Sequence, residues 1–236
     1  MIVGAVVAPH PPLLLPGVGG GTGGDELRDV RDRAVQAIRD LDRRGIDTWI
    51  VVGGVPAAAT TTTNDGIPFA GIAPWPGRTG GSLPLSLAVG ISLLDAAEVP
   101  GTVSLRGIPF DATPQDCQGA GSRIASVEGR CALLVLGDGS ARRTKASPGD
   151  FDADAEGWDD IVDGALRTAD TTALAALDPA DADRFLAAGR AAWQVLAGAF
   201  AGGPAPTADG TCFTAPLGVA YWVTTWSPGD GPGQPS

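Results

Sequence analysis

The sequence has little of the residue types that most often bind metals in proteins. His10 is its only histidine, and its three cysteines, Cys117, Cys131 and Cys212, are far apart and form no Cys-x-x-Cys pair. A structural zinc site needs four such ligands, most of them closely spaced, so a zinc cluster has little support. An odd number of scattered cysteines favours a reduced, cytoplasmic protein.

Positive charge and long apolar runs are also scarce. The chain carries 16 Lys and Arg against 27 Asp and Glu, which gives a net charge of −11. This balance argues against a nucleic-acid partner and against binding to an anionic membrane surface. No apolar stretch is long enough to span a bilayer, and no basic segment precedes the first apolar run as in a signal peptide. We therefore expect a cytoplasmic protein that does not act on membranes.

The composition is that of a folded domain. Hydrophobic residues make up 44% of the 236 residues and charged residues 18%. This length suits one α/β domain, which we expect over residues 1–228. The Pro- and Gly-rich residues 229–236 are expected to form a disordered tail.

The first fifty residues predict a β-loop-α-β unit. Ile2 to Val7 is an apolar, β-branched run typical of a buried strand, and a second such run covers Thr48 to Val52. Between them, a helix with one apolar face is predicted from Asp25 to Gly45. A right-handed crossover makes the two strands parallel.

The rest of the chain continues this alternation. Residues 56–81 form a polar insert, with a short hairpin expected near Ile67 to Ala73. The apolar patterns then predict, in order, a helix over Ser82 to Ala97, a strand over Val103 to Ile108, a weak helix over Thr113 to Val127, a strand over Arg130 to Leu136, helices within Asp152 to Phe200, a loop over Pro204 to Gly210, and strands over Thr211 to Thr214 and Val219 to Trp226.

His10 lies where ligands bind in an open α/β sheet. It follows the first predicted strand, and Pro9, Pro11 and Pro12 prevent both a longer strand and an immediate helix. The carboxyl ends of parallel strands form the usual ligand-binding edge of such sheets. His10 is therefore a candidate site residue and a candidate metal ligand, although a single histidine is also commonly structural.

A second candidate site follows the strand that ends at Leu136. Asp138, Ser140, Arg142 and Arg143 come directly after it, in a Gly-Asp-Gly-Ser turn. Asp can act as a base or bind a metal, and Arg can bind a carboxylate or phosphate through two hydrogen bonds. The alternative is a tight turn in which Asp138 caps the backbone and the arginines are solvated.

Two further features leave their roles open. Arg190 stands close to Trp193 and could line a pocket, or could extend outward from a helix that packs in the core. Trp222 and Trp226 on the last strand could form the contact surface of a homo-oligomer, or could face the core.

Five sequence motifs occur in an order that resembles a known family. They read PHPPLLLP, VVGG, LLVLGDGSARR, GRAAWQVLAGA and TAPLGVAYWV. Together they resemble the class III extradiol ring-cleavage dioxygenases of the LigB-like superfamily, and more closely a histidine-poor bacterial branch of it. The resemblance implies an α/β fold of three α/β/α layers around a central mixed, largely parallel sheet.

The resemblance also implies an Fe(II) site, which this sequence does not complete. Active members bind iron through two His and one Glu, and a third His serves as acid and base. His10 matches the first ligand, whereas no histidine follows the second strand near Gly54 to Asp65. The acid-base position after the Gly-Asp-x-Ser turn is Ala141.

We therefore expect a protein that keeps the fold without the ring-cleaving reaction and without a cofactor. It would bind a small molecule or a partner in the former active-site cleft, lined by His10, Asp138, Ser140 and Arg142. The alternative is a metal-dependent dioxygenase or hydrolase with a remodelled site around His10 and Asp138.

Overall fold

The protein is built on a seven-stranded mixed sheet with helices on both faces. The computed structural model describes residues 1–18, 27–57, 64–68 and 83–229. The strands are β1 (Ile2–Ala8), β2 (Thr48–Val55), β3 (Asn64–Pro68), β4 (Thr102–Pro109), β5 (Cys131–Leu136), β6 (Thr207–Thr214) and β7 (Tyr221–Ser227). Their order across the sheet is β3-β4-β2-β5-β1-β7-β6.

The four central strands are parallel and end together. β2 pairs in parallel with β4 and β5, and β5 pairs in parallel with β1. Leu136, the last residue of β5, is level with Ala8 of β1 and Gly53 of β2. The outer strands β3, β7 and β6 are antiparallel to their neighbours. One edge of the sheet therefore collects the carboxyl ends of β4, β2, β5 and β1.

Helices cover both faces of this sheet. They are α1 (Arg28–Asp42), α2 (Leu85–Ala97), α3 (Pro114–Ala125), α4 (Ala155–Thr168), α5 (Thr171–Ala175), α6 (Pro179–Arg184) and α7 (Arg190–Phe200). Successive residues of a strand point to opposite faces, so Val6 packs with α1 and α2 while Val7 packs with α3 to α7. Two apolar cores result, and the predicted three-layer α/β/α fold is confirmed.

Several predicted boundaries change in the structure. The predicted loop over Pro204 to Gly210 is wrong in its second half, because β6 already begins at Thr207, which pairs with Ser227 of β7. The expected hairpin near Ile67 to Ala73 is replaced at its start by β3, which pairs antiparallel with β4. The rest of that hairpin lies outside the described residues, as do the start of the predicted first helix and residues 230–236.

The tryptophans of β7 and the lengths of the helices settle two further questions. Trp222 and Trp226 are fully buried in the core, which excludes them as a contact surface between subunits. None of the described helices combines the length and the apolar composition that crossing a membrane requires.

The closest helix contact joins α3 and α7 through glycine. A Cβ atom built on Gly198 of α7 would lie 2.3 Å from the Gln118 carbonyl oxygen, and one on Gly121 of α3 would lie 2.2 Å from the Val195 carbonyl oxygen. Both obstacles are backbone atoms, so the two helices can approach this closely only without side chains at these positions.

We predict that Gly198→Ala lowers the free energy of unfolding by about 1–3 kcal/mol, because the added methyl group must push the helices apart. Gly164→Ala in α4 is the matched control: nothing lies within 4 Å of its built Cβ. That variant should gain about 0.5–1 kcal/mol from its higher helix propensity. Urea unfolding measures both, and equal stability of the two variants would contradict the packing described here.

Candidate functional site

His10 and Asp138 meet at the carboxyl edge of the sheet. β1 and β5 are neighbours, and the Gly137 N–H continues their pairing by donating to the Ala8 carbonyl at 3.0 Å. The His10 backbone N–H donates to Asp138 Oδ1 at 2.8 Å, and His10 Nδ1 lies 3.5 Å from the same oxygen. The two residues expected at this edge therefore form one cluster, although they are 128 positions apart in the sequence.

Backbone hydrogen bonds fix the turn that carries Asp138. Its carbonyl accepts the Gly189 N–H at 2.8 Å. The Gly139 N–H donates to the Ala220 carbonyl at 2.8 Å, and the Ala141 N–H donates to the Phe185 carbonyl at 3.0 Å. The turn is thus bound on one side to the segment before α7 and on the other to the start of β7.

Both glycines of the Gly-Asp-Gly turn are required by close packing on tryptophan. A Cβ on Gly137 would lie 2.7 Å from Trp193 Nε1, and a Cβ on Gly139 would lie 2.5 Å from the Trp222 ring. Neither glycine has a positive φ angle. Their role is therefore to let the backbone pass over the two indole rings, which are packed edge to face at 5.6 Å and 87°.

Burial governs the chemistry of Asp138. Its side chain is 15% exposed, and this burial raises the pKa of its carboxyl, while the nearby His10 imidazole and backbone N–H oppose the rise. His10 is 5% exposed, and its Nδ1 is buried with no hydrogen-bond partner among the described residues. The pair thus combines a carboxyl with a raised pKa and a ring nitrogen without a hydrogen-bond partner among the described residues.

Tyr221 is a buried residue near Asp138 that sequence reasoning missed. Its neighbour Ala220 accepts the Gly139 N–H at 2.8 Å and donates to the Ser140 carbonyl at 3.1 Å, so Tyr221 begins β7 beside the turn that carries Asp138. Tyr221 is 4% exposed. Its burial and the charge of Asp138 raise the pKa of its phenol, so the hydroxyl stays protonated. The available signal was that this residue, the only tyrosine, opens the final strand.

Ser140 and Arg143 serve the turn itself. Ser140 is fully buried, its Oγ accepts the Arg142 N–H at 3.0 Å, and its own N–H donates to Asp159 Oδ1 at 2.9 Å. Arg143 donates to Asp159 Oδ2 at 2.7 Å and lies over the Phe213 ring. For these two residues the structure agrees with the tight-turn interpretation, except that Arg143 is paired instead of solvated.

Arg142 and Arg190 are not brought to the cluster. The Arg142 carbonyl accepts the Asp152 N–H at 3.0 Å. The pKa of the Asp152 carboxyl is lowered chiefly by the hydrogen bond from the Asp154 N–H, with a smaller contribution from the charge of Arg142. Arg190 is 1% exposed and donates to the carbonyls of Phe110 and Ala112. The prediction that Arg190 could extend outward is therefore wrong, since its guanidinium turns inward and fixes the chain after β4.

The donor set does not fit the iron site that the resemblance implies. That site needs two imidazoles and a carboxylate, and the whole chain contains one histidine. Within residues 1–18, 27–57 and 83–229, no three His, Cys, Asp or Glu side chains come together as a metal would require. His10 and Asp138 can supply two ligands at most.

Comparison with known proteins adds support for the fold alone. No family model and no curated protein sequence matches the chain. Eighteen chains of solved structures match it. One is a crystal structure of the uncharacterized protein JW3007 from Escherichia coli K12, with a TM-score of 0.52 and 14% sequence identity over 94% of this chain and 99% of that one. At this identity the likeness establishes a shared α/β architecture, not an activity.

We predict that Asp138→Asn becomes more stable relative to wild type as the pH rises. The folded pKa of Asp138 is raised, so above an ordinary Asp pKa of about 4 the unfolded chain binds fewer protons there than the folded chain. This difference makes wild-type stability fall with pH until the folded pKa is passed. Asn keeps an oxygen that can accept the His10 N–H and removes the titration.

The measurement is urea unfolding of both proteins from about pH 4 to about pH 8. Asp32→Asn, at an exposed position of α1, controls for the loss of one negative charge. The free energy of unfolding of Asp138→Asn minus that of wild type should increase with pH. A value that stays constant or decreases would contradict the burial argument.

Proposed function

We propose that this protein is a catalytically degenerate relative of the extradiol dioxygenases that binds a small phenolic molecule at the His10–Asp138 cluster. The observation that carries the proposal is the buried His10 Nδ1, which has no partner among the described residues and lies 3.5 Å from the Asp138 carboxyl. A buried polar atom without a partner costs free energy, and a bound hydroxyl group would satisfy it.

The chemistry of the cluster favours a neutral hydroxyl over an anion. Asp138, when ionised, repels a carboxylate ligand, and Arg143 and Arg190 donate to Asp159 and to the Ala112 carbonyl. A phenol hydroxyl can donate a hydrogen bond to His10 Nδ1 or to the Asp138 carboxylate. The position at the shared carboxyl ends of β1 and β5 also agrees with where α/β sheets bind ligands.

The loss of catalysis is inferred from the ligand count. The resemblance implies three histidines in active members, and this chain has one. Losing a direct imidazole ligand should weaken metal binding by more than the roughly 10- to 100-fold typical of changes to residues that only orient the ligands. The fold is kept while the reaction is expected to be lost.

The second candidate is a metal-dependent dioxygenase or hydrolase with a remodelled site. It is favoured by one observation, the adjacency of an imidazole with a free nitrogen and a carboxylate, which is the start of a metal site. It requires at least one further ligand that the described residues do not bring to the cluster.

The test is calorimetric titration of catechol and, as the anionic comparison, benzoate. We predict that catechol binds more tightly than benzoate. His10→Gln, which keeps the volume but moves the acceptor atom, should weaken catechol binding roughly three- to tenfold through one lost hydrogen bond. Asp32→Asn should leave it unchanged.

An oxygen electrode distinguishes the two candidates. With Fe(II) added, the degenerate protein consumes no oxygen above the protein-free rate when catechol is present. Oxygen uptake that disappears in His10→Gln would replace the proposal with the remodelled enzyme. Catechol binding that is absent, or that is unaffected by His10→Gln, would overturn it.

A further inference from the structure

A pocket lies beside the carboxyl end of β4. It has a volume of about 530 Å³, within the range of about 300–1,000 Å³ that is typical of small-molecule sites. One wall is formed by Phe110 and Asp111, and the other by α6 and the segment that follows it. Seven of its nine lining residues are Ala, Pro, Leu or Phe, and the other two are Asp111 and Asp183.

Buried polar side chains hold both walls in place. Arg190 donates to the carbonyls of Phe110 and Ala112, on either side of Asp111. Gln194 accepts a hydrogen bond from Arg190 at 3.0 Å and donates to the Leu177 carbonyl at 2.9 Å, just before α6. Arg190 and Gln194 are both almost fully buried, so the two walls of the pocket are joined through hydrogen bonds inside the core.

Two large apolar side chains remain exposed at this pocket. Phe110 is 43% exposed and Leu186 is 47% exposed. Leu186 also has a φ angle of +54°, a conformation that costs a non-glycine residue about 1–2 kcal/mol. Glycine is the usual residue at such a position after a helix. Leu186 supplies an apolar side chain to the pocket wall, which glycine would not, and its backbone is strained.

The polar part of the lining is negative. None of the described lining residues is basic. Arg184, which neighbours Asp183 in the sequence, is bound to Asp152 and Asp154 instead. The buried Arg190 offsets one of the two carboxylates, so the pocket and its supporting wall keep a net negative charge.

We propose that this pocket binds a small organic cation, an amine with an apolar body. The apolar body would lie between Phe110 and Leu186, and the ammonium group would lie near Asp111 and Asp183. Charge complementarity selects a cation over an anion, and the apolar walls select a substituted amine over a metal ion. Neither His10 nor Asp138 lines this pocket, so the proposal does not depend on the function proposed above.

The probe is 4-phenylbutylamine, compared with 4-phenylbutanol and 4-phenylbutyrate, which share its apolar body. Calorimetry should rank the affinities amine, then alcohol, then carboxylate. Salt should weaken binding of the amine only, because exposed charge pairs are screened. Amide NMR shifts should locate the amine at Ala180, Ala182, Ala187 and Ala188, which line the pocket.

Paired variants separate the charge from the apolar contact. Asp111→Asn and Asp183→Asn should each lower the affinity for the amine roughly two- to fivefold, as expected for partly exposed ion pairs. The affinity for the alcohol should stay unchanged. Asp181→Asn is the matched control, since this residue lies on the same helix but does not line the pocket. It should leave all three affinities unchanged.

Leu186→Gly tests whether the strained residue serves binding. The variant relieves the strain of a positive φ angle, so its thermal stability should not fall, while the affinities for amine and alcohol should both drop roughly threefold or more. Equal affinity for the three probes, shifts located outside the pocket, or an amine affinity that Asp111→Asn and Asp183→Asn leave unchanged would overturn the proposal.

Discussion

The backbone of residues 137–139 lies directly against the rings of Trp193 and Trp222, and the candidate site depends on this contact. Any Cβ at Gly137 or Gly139 would collide with an indole ring. The contact fixes the turn after β5, and this turn holds Asp138 against the His10 N–H. The tryptophan pair belongs to the core between the sheet and helices α3 to α7. The geometry of the site is therefore set by packing beneath it, and the strand ends only bring the two residues to the same edge.

The chain has a single histidine, which limits the metal sites that it can form. An imidazole next to a carboxyl can accept and donate hydrogen bonds, but it does not make the three-ligand iron site of the extradiol dioxygenases. The surroundings of Asp138 also favour binding over a metal site, because a buried carboxyl with a raised pKa is suited to hydrogen bonding with neutral groups. The proposed binding role agrees with both features. Burial and the charge of Asp138 raise the pKa of the nearby Tyr221 phenol, so its hydroxyl stays protonated.

Much of the fold was predictable because the central strands are short apolar runs separated by amphipathic helices. The meeting of His10 and Asp138 was predictable for the same reason, since parallel strands end at one edge. The remaining features depend on contacts between distant parts of the chain. Tyr221 comes near Asp138 because the adjacent Ala220 bonds to the backbone of the turn after β5, and Arg190 turns inward because its guanidinium donates to carbonyls after β4. The start of β6 at Thr207 was missed because an edge strand with one solvated face lacks an apolar pattern.

The most direct test of the central claim is anaerobic Fe(II) binding followed by elemental analysis, on wild type and His10→Ala. We expect iron far below one atom per chain after desalting, with no difference between the two proteins. One tightly held iron per wild-type chain that is lost in His10→Ala would contradict it, because it would mean that His10 and Asp138 belong to a complete metal site.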